Sequence, residues 1–439
     1  MKNFIYQYNK YFDNKFILLT LLSILLFNSF FFNSFLIYHI EPMLNFWEER
    51  VYGDIDQTFK FYIENANIPK IFVFTDLKCG ATNINGYCIW PGNYLGHIVL
   101  STYFLPNDIS NIDQFEFYFD LIIKTSYLLI VILYSLFILK RFNLTVLKIF
   151  IIFIALSPYL IAWASRHHEI VSIHLLLGIV GFLLGSKIIF DRRLIYIFIV
   201  FLISLFSALT KFDYFVILAG SSILPIIYYG LKINSKIKTI IKYCLLSFSI
   251  SILGFLAALL FQSILISFFL KTYGVSNVEL EFFNNSYIDW LISGRVSERT
   301  TILGIMHQLN LLIRNLSIPI LSLSIFDLIS VFPIFLFSLF YLIFNYEYFI
   351  TQKKSNIPDE LLLILCAIIQ ILFIYIGIYL NYGGLNHLQE EIIMYFSFLP
   401  LMIISLGIIY NNKKNFISDA MINSTISSLF LLSFHIYFN

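Results

Sequence analysis

The chain has 439 residues, of which 59% are hydrophobic and 12% are charged, and its net charge is +2. Apolar stretches of about 20 residues, the length that crosses a bilayer as a helix, recur along it. This composition excludes an ordinary soluble domain, and we expect no nucleic-acid partner. We predict an all-α polytopic membrane protein.

About eleven apolar stretches qualify as transmembrane helices. They are residues 17–40, 117–139, 145–164, 170–190, 194–210, 213–231, 243–270, 316–344, 359–380, 392–410 and 419–437. We expect that the first stretch, residues 17–40, is not removed as a signal peptide, because it is too long and no small-residue cleavage site follows it. The stretch 316–344 contains Pro319 and Pro333. It is either one kinked span or a surface helix that leads into a span.

One set of Lys and Arg residues in the short connections falls on every second connection. They are Lys2, Lys10, Lys15, Lys140, Arg141, Arg192, Arg193, Lys232, Lys236, Lys238, Lys242, Lys353, Lys354, Lys413 and Lys414. Because cytoplasmic loops carry the excess of Lys and Arg, we predict that the N-terminus and this set are cytoplasmic. The other connections then face outside. Residues 1–439 form a single transmembrane domain with two large extracytoplasmic loops, 41–116 and 271–315.

The first outer loop opens with WEERVYGDIDQTFKFY, residues 47–62. Four carboxylates lie within nine residues of this segment: Glu48, Glu49, Asp54 and Asp56. Apolar residues at helical spacing follow Asp54, which predicts an amphipathic helix on the membrane surface. Asp54 alone is equally consistent with a helix cap, and the glutamates with solvated loop charges. For the cluster as a whole, a functional role is favoured over a purely structural one.

Two cysteines, Cys79 and Cys88, share the same loop, and a disulfide between them is expected if the loop faces an oxidising compartment. A zinc site is disfavoured because two further ligands at metal spacing are missing. We therefore assign no metal ligand.

The shorter outer connections carry further polar residues. In SRHHE, residues 165–169, the arginine and histidines can hold an anionic group, and Glu169 can cap the next helix. Lys211 stands alone in apolar sequence, where it either contacts a lipid phosphate or extends to the headgroups. Further charged or polar candidates in the outer connections are Arg295, Arg299, His387 and Glu390.

Four of these patterns together resemble the GT-C glycosyltransferase superfamily, polytopic enzymes that use polyprenyl-phosphate sugars. Members carry an essential acid after the first span, as in 47–62, and a polar cluster before the fourth span, as in 165–169. Many carry Thr-Lys between the fifth and sixth spans, as in ALTK at 208–211. MYFSFLP at 394–400 resembles the family's Tyr-to-Pro pattern, although Glu390 and its neighbour replace the usual arginine.

The resemblance implies a GT-C-like fold with surface helices on the outer face, and transfer of a hexose, glucose being the type favoured, to O-antigen or lipopolysaccharide. The implied partners are a polyprenyl (undecaprenyl) phosphate sugar, a surface glycan acceptor and membrane lipid, at the periplasmic face of a bacterial inner membrane. No cofactor is required, and a divalent cation is compatible with the site. The resemblance implies that Asp54 is the catalytic base, with Glu48 and Asp56 as alternatives, and that Glu169 orients the acceptor. The residues implied to bind the donor phosphate are Lys211, Arg166 and His168. Those implied to bind the acceptor or to support the site are Arg295, Arg299, His387 and Glu390.

Two other functions remain open on the sequence. An O-antigen polymerase also has many spans and large outer loops, and it relies on arginines in those loops. In this chain Arg295, Arg299 and Arg314 lie in a predicted outer loop. A lipid-linked oligosaccharide flippase or other transporter would need polar residues along the interior of the bundle, and these are sparse.

Overall fold

The computed structural model describes residues 74–75, 82–84, 87–90, 129–156, 171–210, 215–272, 337–351, 357–381 and 388–413. From residue 129 onwards the described part of the chain is helical, which confirms the predicted helical class. In chain order the helices are α1 (129–141), α2 (Leu144–Leu156), α3 (Val171–Ser186), α4 (Arg193–Thr210), α5 (Phe215–Lys232), α6 (Ile237–Thr272), α7 (337–344), α8 (Glu347–Thr351), α9 (Asp359–Asn381) and α10 (Leu388–Lys413).

Helix α5 lies at the centre of the bundle, where it packs against α3, α4, α6 and α9. Helix α10 contacts α9 and α2, and α4 packs along α6. A buried series of aromatic rings joins three of these elements: Phe137 of α1 contacts Phe182 of α3 at 5.1 Å, and Phe182 contacts Tyr228 of α5 at 5.6 Å between ring centroids. These side chains form part of one hydrophobic core.

The α5–α6 turn is fixed by a helix-ending motif. Asn234 has a φ of 55°, the left-handed conformation that closes many helices. The Ser235 amide donates to the Gly230 carbonyl at 2.9 Å, and the Asn234 amide donates to that of Leu231 at 3.1 Å. These are the two hydrogen bonds of a Schellman motif, so the chain reverses within four residues.

Helix α2 begins with a side-chain cap. Asn143 accepts a hydrogen bond from the Val146 amide at 3.1 Å, the bond that an N-cap asparagine makes to the third helical residue. This cap sets the position of Asn143 at the mouth of a pocket described below.

Helices α4 and α6 pack closely together at a glycine. A Cβ atom on Gly254 would lie 2.8 Å from the Phe201 carbonyl oxygen and 2.8 Å from the Ser204 Cβ. Small residues at such positions let two helix backbones approach closely, as is common between membrane helices.

One helix in the described part of the chain is long and apolar enough to cross a membrane. It is Ile237–Ala258, with a mean hydropathy of 2.0 and 28% of its residues buried, and two shorter apolar helices are Arg193–Phe206 and Phe398–Asn412. Large apolar side chains on α6, such as Leu245, Leu253 and Leu260, are exposed. The two outermost predicted spans, 17–40 and 419–437, lie outside the described residues, and the count of eleven remains a prediction.

The predicted bounds agree well with several helices. The stretches 194–210, 213–231 and 359–380 correspond to α4, α5 and α9 within two residues at each end. Helix α6 begins six residues before its predicted span and has 36 residues. Helix α3 is interrupted at Gly185, whose φ is 75°, and a short π-helix, Lys187–Asp191, follows.

Three short strands form a small antiparallel sheet in the segment predicted as the first outer loop, and they do not change the helical class of the bundle. Strands β1 (Phe74–Thr75), β2 (Thr82–Ile84) and β3 (Tyr87–Trp90) pair in the order β1-β3-β2, with Ile84 opposite Tyr87. The residues between β2 and β3 are Asn85 and Gly86, the pair most typical of a two-residue hairpin. This signal, together with the β-favouring residues around it, could have identified the sheet.

Candidate functional site

Several connections that carry basic residues meet at one end of the bundle. A single pocket is lined by residues from the α1–α2 connection, the end of α5, the start of α9 and the end of α10. Lys140 donates to the Leu183 carbonyl of α3 at 2.6 Å, and Phe190 packs edge-on against Tyr243 at the start of α6. We call this region the basic end, defined by residues 140–143, 232–236, 357–360 and 411–413.

The helix directions define a second, distal end. Helices α4, α6 and α9 start at the basic end and run away from it, whereas α3, α5 and α10 run towards it. The distal end therefore contains the start of α3 at Val171, the end of α4 at Thr210 and the start of α5 at Phe215. The end of α9 at Asn381 and the start of α10 at Leu388 lie there as well. At about 1.5 Å per residue, α5 separates the two ends by roughly 27 Å.

Three predicted site segments adjoin these distal termini in the sequence. Glu169 precedes Val171 by two residues, Lys211 directly follows Thr210, and His387 directly precedes Leu388. Because α3 and α5 are in contact, as are α5 and α9 and then α9 and α10, the termini belong to neighbouring helices. Helix termini that are far apart in the sequence thus lie at one end of the bundle.

Of the predicted site residues, Glu390 lies within a described element, the first turn of α10. An acid is favoured there by the helix dipole, so helix stabilisation alone can account for its position. The other predicted residues lie outside the described residues: Glu48, Asp54, Asp56, Arg166, His168, Glu169, Lys211, Arg295, Arg299 and His387.

A seam of uncharged polar groups runs inside the bundle. The hydroxyls of Ser222 on α5 and Ser247 on α6 are 2.9 Å apart, and the Gln370 amide donates to the Ser221 hydroxyl at 3.0 Å. Tyr196 of α4 donates to the Ser222 carbonyl at 2.6 Å. Among the residues whose burial the structure describes, Glu360 is the one buried charged side chain, and it lies at the basic end.

The ionic contacts at the basic end were not foreseen from the sequence. Lys232 Nζ lies 3.1 Å from Asp359 Oδ1 and donates to the Ile357 carbonyl at 3.0 Å. Tyr228 also donates to Asp359 Oδ1, at 2.5 Å. From the charge pattern, Lys232 is predicted only to mark a cytoplasmic connection. Its partner Asp359 is too far away in the sequence for a local pattern to identify it. The available signal was an acidic first turn that follows Pro358 at the start of α9.

An arginine stacks beside this cluster. The Arg141 guanidinium lies 4.8 Å from the centre of the Tyr229 ring and 5.9 Å from that of Tyr228. Both distances fall within the range of a cation–π contact. Together with the Lys232–Asp359 pair, this contact ties α1, α5 and α9 to one another at the basic end.

Metal binding has no support in the described part of the chain, since no group of three or more His, Cys, Asp and Glu side chains there is placed to hold an ion. Comparison of the chain with models of protein families, with characterised proteins and with solved structures gave no match.

Proposed function

We propose that the protein is a GT-C-like membrane glycosyltransferase of about eleven spans. It transfers a sugar, with glucose the favoured type, from a polyprenyl phosphate to a hydroxyl of an O-antigen or other surface glycan. The reaction takes place at the periplasmic face of the bacterial inner membrane. The observation that supports this proposal most is the common position of the helix termini next to Glu169, Lys211 and His387.

The chemistry needs positive charge beside the donor phosphate. That phosphate is the leaving group and is already anionic, so a cation that stabilises the developing charge lowers the barrier without proton transfer. The proposed contacts are Lys211, which directly follows α4 in the sequence, and Arg166, which precedes α3 by five residues, together with His168.

The acceptor hydroxyl must lose a proton as it attacks the anomeric carbon. A carboxylate next to that hydroxyl can take the proton. Partial exclusion of water raises the pKa of such a carboxylate and so makes it a stronger base. Asp54 is the proposed base, with Glu48 and Asp56 as alternatives, and Glu169 would orient the acceptor. A divalent cation is compatible with this set of acids.

The polar seam helps to distinguish a transferase from a transporter. A transporter of anionic lipid-linked sugars usually places ionisable groups near the middle of the membrane. In the described part of the bundle, the seam consists of serines, a glutamine and a tyrosine, and the buried carboxylate Glu360 lies at the basic end. This distribution favours chemistry at one face over passage through the interior.

Surface glycans from cells with and without the gene test the proposal. We expect deletion to remove one hexose from each repeat, with polymer length unchanged, and the native gene to restore it, whereas an Asp54→Asn gene should not. Collapse of polymer length with sugar content intact would instead identify a polymerase. Intact glycans on the inner side of the membrane would identify a transporter.

A further inference from the structure

We propose that the basic-end pocket binds a small organic amine, whose primary ammonium group contacts Glu360. The pocket has a volume of about 550 Å³. This lies within the range of small-molecule sites, and it is much larger than a single metal ion requires. The site lies at the opposite end of the bundle from the proposed transferase chemistry, so it does not depend on that proposal.

One of the two carboxylates that line the pocket has no ion pair among the described residues. The described lining contains one ammonium group, Lys232, and two carboxylates, Asp359 and Glu360. Lys232 is paired with Asp359 at 3.1 Å, and Arg141 stacks on the Tyr229 ring beside that pair. Glu360 is the carboxylate left without an ion pair in this part of the chain, and a buried charge is normally compensated by a cation.

The burial of Glu360 is the second observation that points to a ligand. Glu360 is only 5% exposed, although it lines the pocket. The Tyr341 hydroxyl approaches its Oε1 at 3.5 Å, the outer limit of a hydrogen bond. A carboxylate that is so well shielded and so weakly bonded to this neighbour is suited to receive a charged donor from the pocket.

The rest of the lining selects an organic cation with polar substituents. The side-chain amides of Asn143, Asn411 and Asn412 can bond hydroxyl or phosphate oxygens. Asn411 and Asn412 are held together by a hydrogen bond of 3.2 Å, which orients both amides. Apolar contact comes from Phe142 and Ile408. An ammonium group on a short polar chain fits both parts of this surface.

Two sources can supply this chemistry: the ethanolamine headgroup of a membrane phospholipid and a free amino alcohol. Ligand-observed NMR on the purified full-length protein can separate them. Ethanolamine is titrated into protein in nanodiscs of phosphatidylglycerol, which has no amine. The titration is repeated with phosphatidylethanolamine added, and with phosphatidylcholine, which carries the same charge without N–H donors.

We expect ethanolamine to bind in phosphatidylglycerol, and ethylene glycol, the neutral ligand of the same size, to bind at least about tenfold more weakly. If phosphatidylethanolamine abolishes ethanolamine binding and phosphatidylcholine does not, the lipid headgroup is the occupant. Unchanged binding with either lipid identifies the soluble amine. No binding of ethanolamine in phosphatidylglycerol, or equal binding of ethylene glycol, would overturn the proposal without any variant.

Variants locate the site. Glu360→Gln should weaken ethanolamine binding by about tenfold or more, and Glu360→Asp, which keeps the charge, should weaken it less. The matched control is Asp191→Asn, which removes the same charge from an exposed residue outside the pocket lining. Circular dichroism confirms that each variant folds. Unchanged affinity in a folded Glu360→Gln protein would place the amine elsewhere and contradict the proposal.

Discussion

Tyr228 donates a hydrogen bond to Asp359 across 131 positions of the sequence. This bond joins the last turns of the central helix α5 to the first turn of α9, next to the Lys232–Asp359 ion pair. The pair is partly open to solvent, with the two side chains 23% and 33% exposed, so its own contribution to stability is modest. The tyrosine hydroxyl, bonded to a charged acceptor, should contribute more.

Tyr228→Phe should lower the free energy of unfolding by about 1–2 kcal/mol, because it removes a hydrogen bond to a carboxylate and leaves the ring in place. Reversible unfolding in mixed micelles measures this change. The control is Tyr346→Phe at a residue that is 55% exposed, where we expect a change below about 0.5 kcal/mol. Equal effects of the two substitutions would mean that the Tyr228 bond does not stabilise the bundle.

Gly254→Ala should destabilise the bundle by about 1–3 kcal/mol, because the added carbon meets the rigid backbone of α4 at Phe201. Leu256→Ala is the control on the same helix, at a side chain that is 50% exposed. The same unfolding measurement applies. A folded Gly254→Ala protein of native stability would show that α4 and α6 can separate at no cost.

The helices were predictable because each apolar stretch encodes its own element. The bounds of α4, α5 and α9 follow from where charged and turn-forming residues interrupt the apolar sequence. The early start of α6 was missed because Lys238 and Lys242 mark the predicted membrane boundary but do not stop a helix.

Contacts between distant segments were not predictable in the same way. The basic-end pocket combines Asn143, Lys232, Glu360 and Asn412, and no local pattern in a single sequence relates these positions. The connections that line the pocket meet at one end of the bundle, and the side of the membrane on which they lie stays a prediction from the charge alternation. The polar residues of the proposed transferase site remain predictions from local pattern and resemblance.

Labelling of introduced cysteines tests the predicted membrane topology. In a background without the four native cysteines, Asn45→Cys and Gly384→Cys should react with an impermeant reagent from outside. Lys236→Cys and Lys413→Cys should react only after the membrane is opened. This pattern follows from the excess of Lys and Arg in cytoplasmic connections. Labelling of Gly384→Cys from the cytoplasm alone would exclude a transferase site on the outer face.

Cys79 and Cys88 are predicted to form a disulfide in the first outer loop. Cys88 lies in β3, opposite Asn83 of β2. Closure of a loop of this length would stabilise the fold by about 2–3 kcal/mol in the chain-entropy model. Thiol titration of the denatured, unreduced protein should find two reactive groups, because Cys244 and Cys366 are free. Four groups, the number expected after reduction, would rule the bond out.

Lys211→Ala should weaken use of the lipid-linked donor, because it removes a proposed contact to the donor phosphate. We expect a higher donor KM, with a milder effect if Arg166 shares the phosphate. Lys236→Ala, at an exposed lysine of the basic end, is the control and should leave the kinetics unchanged. An unchanged donor KM in Lys211→Ala would remove this residue from the site.

Sugar transfer by purified Asp54→Asn, with a polyprenyl-phosphate sugar as donor in nanodiscs, tests the central claim most directly. Asparagine caps helices as well as aspartate does, so the variant should fold normally, but it cannot accept the proton. If Asp54 is the base, we expect the transfer rate to fall by about 10²–10⁴-fold relative to the native protein at matched concentration. Near-native transfer by Asp54→Asn would exclude Asp54 as the base, and absence of transfer by the native protein would contradict the proposed function itself.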